Sequence, residues 1–181
     1  MDTTIEKLIL KIEEPNLGPA KRLWSELQEH LPKAAGSTKS HHAWDFGYRD
    51  HLQEVMNLAC ILYERLNQER ELPFSLPSAL LVLFLHDCEK PFKQASDSDL
   101  EKFLWVKQRP TKSDKKFHRQ LVEYYGFALT EDEWNGLDYA EGEKDDYVHG
   151  ERVQGPLAAF CHVCDNISAR IWFDEPSSHH I

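Results

Sequence analysis

No apolar run in this sequence approaches the roughly 20 residues that a helical membrane span requires, so a helical membrane protein is excluded and no membrane partner is expected. Cations are also in short supply. Lys and Arg number 21 against 31 Asp and Glu, for a formal charge of −10. A surface that acidic repels polyanions, which disfavours a long nucleic-acid duplex as partner. Cysteines are few and scattered: Cys60, Cys88, Cys161 and Cys164. They lack the dense spacing of a disulfide-stapled secreted scaffold. Cys161-x-x-Cys164 has no second ligand pair at similar spacing to complete a zinc site, so these thiols read as reduced core residues. The N-terminal stretch MDTTIEKLILKIEEP carries acids among its apolar residues and does not read as a secretory signal, so the cytoplasm is the expected compartment. What is present is enough for one ordinary domain: 181 residues, 41% of them hydrophobic.

The apolar period is helical almost throughout, with no convincing strand pair and no internal repeat. Segments 3–13 and 18–31 read as short amphipathic helices parted by Pro15, Asn16 and Gly18. After a Gly/Ser/Lys loop, a long helix is predicted from about Tyr48 to Arg70, with Leu52, Val55, Met56 and Ala59 on its inner face. Pro77 suits the first turn of the next helix, SALLVLFLHD, which is apolar on every side and therefore central. Further helices are expected at 100–106, at 115–125 before Gly126, after the Thr130/Glu133 capping box, and from Pro156 to Phe173. Residues 141–146 read as an acidic loop and 174–181 as a frayed tail, in which His179 and His180 are left out of any site. The expectation is an all-α, single-domain helical bundle.

Several polar groups fall where a bundle interior is predicted. His51 shares a face with Val55 one turn on. His86 and Asp87 end the most apolar helix, where an ionised carboxylate is costly unless it is paired or bound to a cation. Asp165 lies midway along the last helix, beside Cys161, Ser168 and Ala169. A lone histidine on a helix is ordinarily a core or surface residue. Three buried helices each directing imidazole or carboxylate inward make a metal site the better reading. Mixed His and Asp ligands suit a divalent first-row ion such as Mn, Fe, Co, Ni or Zn, with Mg also admitted.

The order His51, then His86-Asp87, then Asp165 resembles the H…HD…D signature of the HD-domain superfamily of metal-dependent phosphohydrolases. The segments that carry the resemblance are GYRDHLQEVMNLA, LVLFLHDCEKPFK and HVCDNISARI, the second similar to an HD-x-x-K-P pattern. The likeness spans roughly residues 41 to 173, which would make 41–173 an HD domain with 1–40 as N-terminal helices packed on it. It implies that His51, His86, Asp87 and Asp165 bind one metal ion. In dinuclear branches two further histidines bind a second ion, and His118 and His149 stand at those stations; Val148-His149 replaces the adjacent pair many of those relatives carry. One ion or two therefore remain open. His41-His42-Ala43-Trp44 through Gly47 to His51 is also similar to the HD domains of certain bacterial 3′–5′ exoribonucleases, although this chain is too short to hold their OB-fold.

The resemblance implies hydrolysis of a phosphoester in a small phosphorylated metabolite, a nucleotide foremost, by a metal-activated water. Asp87 would be ligand and proton acceptor, and Lys90 would steady a phosphate oxygen. His41 and His42 would line the substrate entrance, Arg152 near His149 could help draw the substrate anion, and Trp44, Phe46 and Tyr48 either stack on a base or simply pack. Lys102, Lys107, Arg109, Lys112, Lys115, Lys116 and Arg119 gather around His118 and could attract an anion, although such a run is more ordinarily a solvated helix face. Two alternatives accompany this reading: a mixed-valent diiron oxygenase cleaving a C–C or C–P bond, and a non-catalytic domain that binds a nucleotide or a protein. A homodimer is compatible with all three.

Overall fold

Helix α4 (Leu76–Leu85) organises the molecule because its sequence leaves it no solvent face: every residue from Ala79 to Leu85 is buried. The helix starts where Ser75 accepts a hydrogen bond from the Ser78 N–H and Pro77 sits in the first turn. The computed structural model describes residues 3–111, 115–143 and 146–175, and among them no strand occurs. Around α4 pack α3 (Gly47–Glu69), α8 (Glu131–Tyr139) and α9 (Pro156–Ile171), with α3 and α9 also in mutual contact. Helix α1 (Ile5–Ile9) adds Ile5, Leu8 and Ile9 to the same core and lies on α3 and α4. Helix α2 (Leu17–His30) connects α1 to α7 (Lys115–Tyr125). The architecture is an all-α bundle, and no helix among the described residues is long and apolar enough to cross a membrane.

Local chemistry sets the other boundaries. Gly126 follows α7 at φ 77°, the left-handed conformation that ends many helices. Thr130 and Glu133 close a reciprocal capping box at the start of α8. The structure departs from expectation at 100–106. There Ser96 caps the single turn α6 (Asp97–Leu100), and the chain beyond it is not helical. Phe103 and Trp105 are buried while Leu104 between them is 90% exposed, an alternation that a helix cannot make. The two inward rings join Phe92, from α5 (Glu89–Gln94), whose centroid lies 4.8 Å from Phe103, 5.4 Å from Trp105 and 5.2 Å from Phe117. Helix α1 is shorter than predicted, and α9 stops at Ile171 because Trp172 and Phe173 have left the core. Residues 176–181 of the expected tail, His179 and His180 among them, lie outside the described residues.

The loop before α3 folds back on itself. The Gly36 N–H donates to the His42 carbonyl at 2.8 Å, and the Tyr48 N–H to the Ala34 carbonyl at 3.0 Å. A Cβ at Gly47 would stand 2.1 Å from the His42 oxygen, so only glycine lets the backbone of His42 lie against the start of α3. This closure puts His41 and His42 beside His51. The cysteines are free; Cys88, Cys161 and Cys164 are buried in the core and Cys60 is half-buried, as their apolar surroundings implied.

Candidate metal centre

Three helices converge on one point. Helix α3 supplies His51 from its second turn, the end of α4 supplies His86 and Asp87, and α9 supplies Asp165. His51 Nε2 lies 3.2 Å from both Asp87 Oδ2 and Asp165 Oδ1. His86 Nε2 lies 3.3 Å from Asp87 Oδ2 and 3.7 Å from Asp165 Oδ1. The ligand atoms of all four fall within 4.8 Å of one another, and the group could hold a metal ion. Lys90, one helical turn past Asp87, sets its ammonium on Asp87 Oδ2.

Each imidazole is turned for ligation. His86 Nδ1 is 2.7 Å from the Leu83 carbonyl, which can only accept, so Nδ1 carries the proton and Nε2 faces the carboxylates. His51 Nδ1 is 3.0 Å from Ser168 Oγ, and that hydroxyl donates to Glu54 Oε2 at 2.7 Å. Ser168 therefore accepts from His51 Nδ1–H, and His51 Nε2 also faces inward. His51 Nε2, His86 Nε2 and Asp87 Oδ1 are buried without a hydrogen-bond partner. Orphaned lone pairs aimed at carboxylates repel unless positive charge lies between them, and a divalent cation ligated by two imidazoles and two carboxylates removes the penalty.

The ionisation of the group shows the same demand. With no cation between the ligands a proton takes that place on His86: burial lowers its proton affinity, but the Asp87 and Asp165 carboxylates overcome it and raise the pKa to about 9. Burial would raise both carboxyls; His86, Lys90 and His51 instead hold Asp87 well below the usual carboxylate range, and the neighbouring His51 and His86 do the same for Asp165.

The remaining predicted residues divide. His41 and His42 are brought to the centre: their rings lie 5.1 and 4.9 Å from that of His51, and the three make a second group with ligand atoms within 4.8 Å. His42 is fully buried with φ 56°, a left-handed conformation that costs about 1–3 kcal/mol and persists only where its surroundings enforce it. Burial first, then the neighbouring His51 and Lys90, pull the His41 pKa down to about 4, so its ring is neutral. His118 is buried on α7 but outside the four-residue group, its Nε2 3.3 Å from Glu89 Oε2. Both line a cleft of about 310 Å³ that reaches His86 and is walled by Lys115, Asp138 and Tyr139. His149 and Arg152 stand exposed on the segment before α9, and His149 joins neither metal-ligand group.

The basic run is mostly neutralised. Lys102, Lys115 and Arg119 pair with Asp99, Asp146 and Asp138, and Arg109 donates to the carbonyls of Phe92, Lys93 and Ala95 at the end of α5. Lys112 lies outside the described residues. Trp44 is committed to Asp50 through a 2.8 Å hydrogen bond, and Tyr48 is buried against Cys88, so both are packing residues. Sequence reasoning missed Glu54, Ser168 and Glu89. Glu54 follows His51, and Ser168 follows Asp165, by three positions on a helix face, but that spacing does not pair them; the pairing needs α3 laid against α9.

In comparisons with known proteins, no family model, curated protein or solved structure matches the chain. Fold and site together define a helical-bundle protein with a buried His/Asp group that could bind metal, an arrangement compatible with the HD type.

Proposed function

We propose that the protein is a metal-dependent phosphohydrolase of the HD type, acting on a small phosphorylated metabolite, with nucleotides the first class to test. The observation that carries this reading is the Lys90 ammonium on Asp87 at the edge of the His51/His86/Asp87/Asp165 group. A divalent cation held by those four residues would supply Lewis acidity and a water acidic enough to ionise near neutral pH. Lys90 adds a compact positive charge at the position where a phosphoryl oxygen would approach, and its exchange of Asp87 for phosphate needs only rotation of a flexible stem. Asp87 Oδ1, buried and without a partner, is placed to take a proton from an attacking water. Nδ1 bonds to Ser168 and Leu83 keep the His51 and His86 rings oriented throughout. The oxygenase alternative draws on six ligands, and the exposed position of His149 gives it less support.

The test is phosphate release from a panel of nucleoside mono-, di- and triphosphates with Mn²⁺, alongside metal content. Lys90→Ala is expected to keep its metal and lose about 100-fold in turnover, the scale for deleting one charge-stabilising donor. Wild-type protein with stoichiometric metal that releases phosphate from no member of the panel would overturn the reading, as would full turnover in Lys90→Ala.

A further inference from the structure

The least expected feature beside the centre is a single carboxylate oxygen that serves two branches. Glu54 Oε2 accepts from Ser168 Oγ at 2.7 Å and lies 2.9 Å from His42 Nε2. The first branch continues from Ser168 to His51 Nδ1 at 3.0 Å. The second continues from His42 Nδ1 to His41 Nδ1, also at 3.0 Å. The first branch fixes a proton position. Because Glu54 accepts the Ser168 hydroxyl, Ser168 must accept from His51 Nδ1, which leaves His51 Nε2 bare. The buried His42, held at φ 56° between Gly36 and Gly47, is what makes this second branch rigid.

We propose that Glu54 is the positioning residue of the metal centre, setting through Ser168 the tautomer of His51 so that its Nε2 offers a lone pair to the cation, and tethering the His42/His41 pair beside that ring. Glu54 touches neither the cation nor substrate; it acts on affinity through the rings it orients. The inference rests on the metal reading above.

Calorimetric titration of Mn²⁺ into metal-stripped protein tests it without any assay of turnover. Glu54→Ala is expected to weaken binding 10- to 100-fold, the range for losing a partner of a ligating histidine. Glu54→Gln, whose amide oxygen can take the place of Oε2 and accept both bonds, should restore affinity to within roughly threefold of wild type. Ser168→Ala should weaken binding by itself, and its effect should largely vanish in the Glu54→Ala background because the two act in one chain. Ser168→Ala is a small change that carries the test if Glu54→Ala does not fold. Wild-type binding with unchanged affinity in both alanine variants overturns the proposal alone. A glutamine variant as weak as alanine also overturns it, since charge rather than hydrogen-bond geometry would then be at work. Absence of binding in the wild type overturns the metal reading and this inference together.

Discussion

Asp87→Ala is expected to remove the response of the protein to metal altogether. Asp87 is almost fully buried and contacts both imidazoles of the centre as well as the Lys90 ammonium. A cation at 100 times its dissociation constant stabilises a folded protein that alone binds it by about 2.7 kcal/mol. For a chain of this size that corresponds to a rise in Tm of roughly 5–10 °C. Wild-type protein should show such a rise on addition of Mn²⁺; Asp87→Ala should show none and should release no phosphate. The metal-free melting curve of the variant provides the control for folding. An Asp87→Ala protein that still gains several degrees from Mn²⁺ would place the cation elsewhere.

The second large effect lies away from the centre. Phe92 is fully buried and is the ring on which Phe103, Trp105 and Phe117 all pack, so it ties α5, the irregular chain at 101–106 and α7 into one layer. Truncation to alanine leaves a cavity whose rim cannot collapse, because three large rings meet there from two separate segments. Phe92→Ala should cost about 3–5 kcal/mol, a fall in Tm of roughly 6–20 °C. The His/Asp ligands come from α3, α9 and the end of α4, so below the lowered Tm the variant should keep a metal-induced rise like that of the wild type. Chemical denaturation gives the first quantity and the melting shift with Mn²⁺ the second. A loss below about 1 kcal/mol would mean the cluster contributes little to stability.

How much of this could be read from the chain depends on the range of the interaction. Local signals were sufficient for α4, whose unbroken apolar sequence requires burial, for α7 before Gly126, and for the capping box of α8. The segment 100–106 was misread because Phe103 and Trp105 follow tertiary aromatic packing, which overrides a weak helical period. His51, His86, Asp87 and Asp165 were legible because ionisable groups on apolar helix faces need a reason to be there. Their partners were not. Glu54 and Ser168 look like ordinary polar helix residues until α3 and α9 are laid side by side, and Glu89 opposite His118 depends on where α7 crosses α5. The exposed His149 shows the converse: a histidine at a suggestive spacing is placed by its loop, and this loop leaves it in solvent.

Anomalous diffraction from crystals grown with Mn²⁺, measured at the metal's absorption edge, addresses the central claim most directly. The structure predicts a peak enclosed by His51 Nε2, His86 Nε2, Asp87 and Asp165, with the imidazole Nδ1 atoms still on Ser168 and Leu83. Fully soaked crystals with no density between those four side chains, or with manganese bound only at other positions, would contradict it.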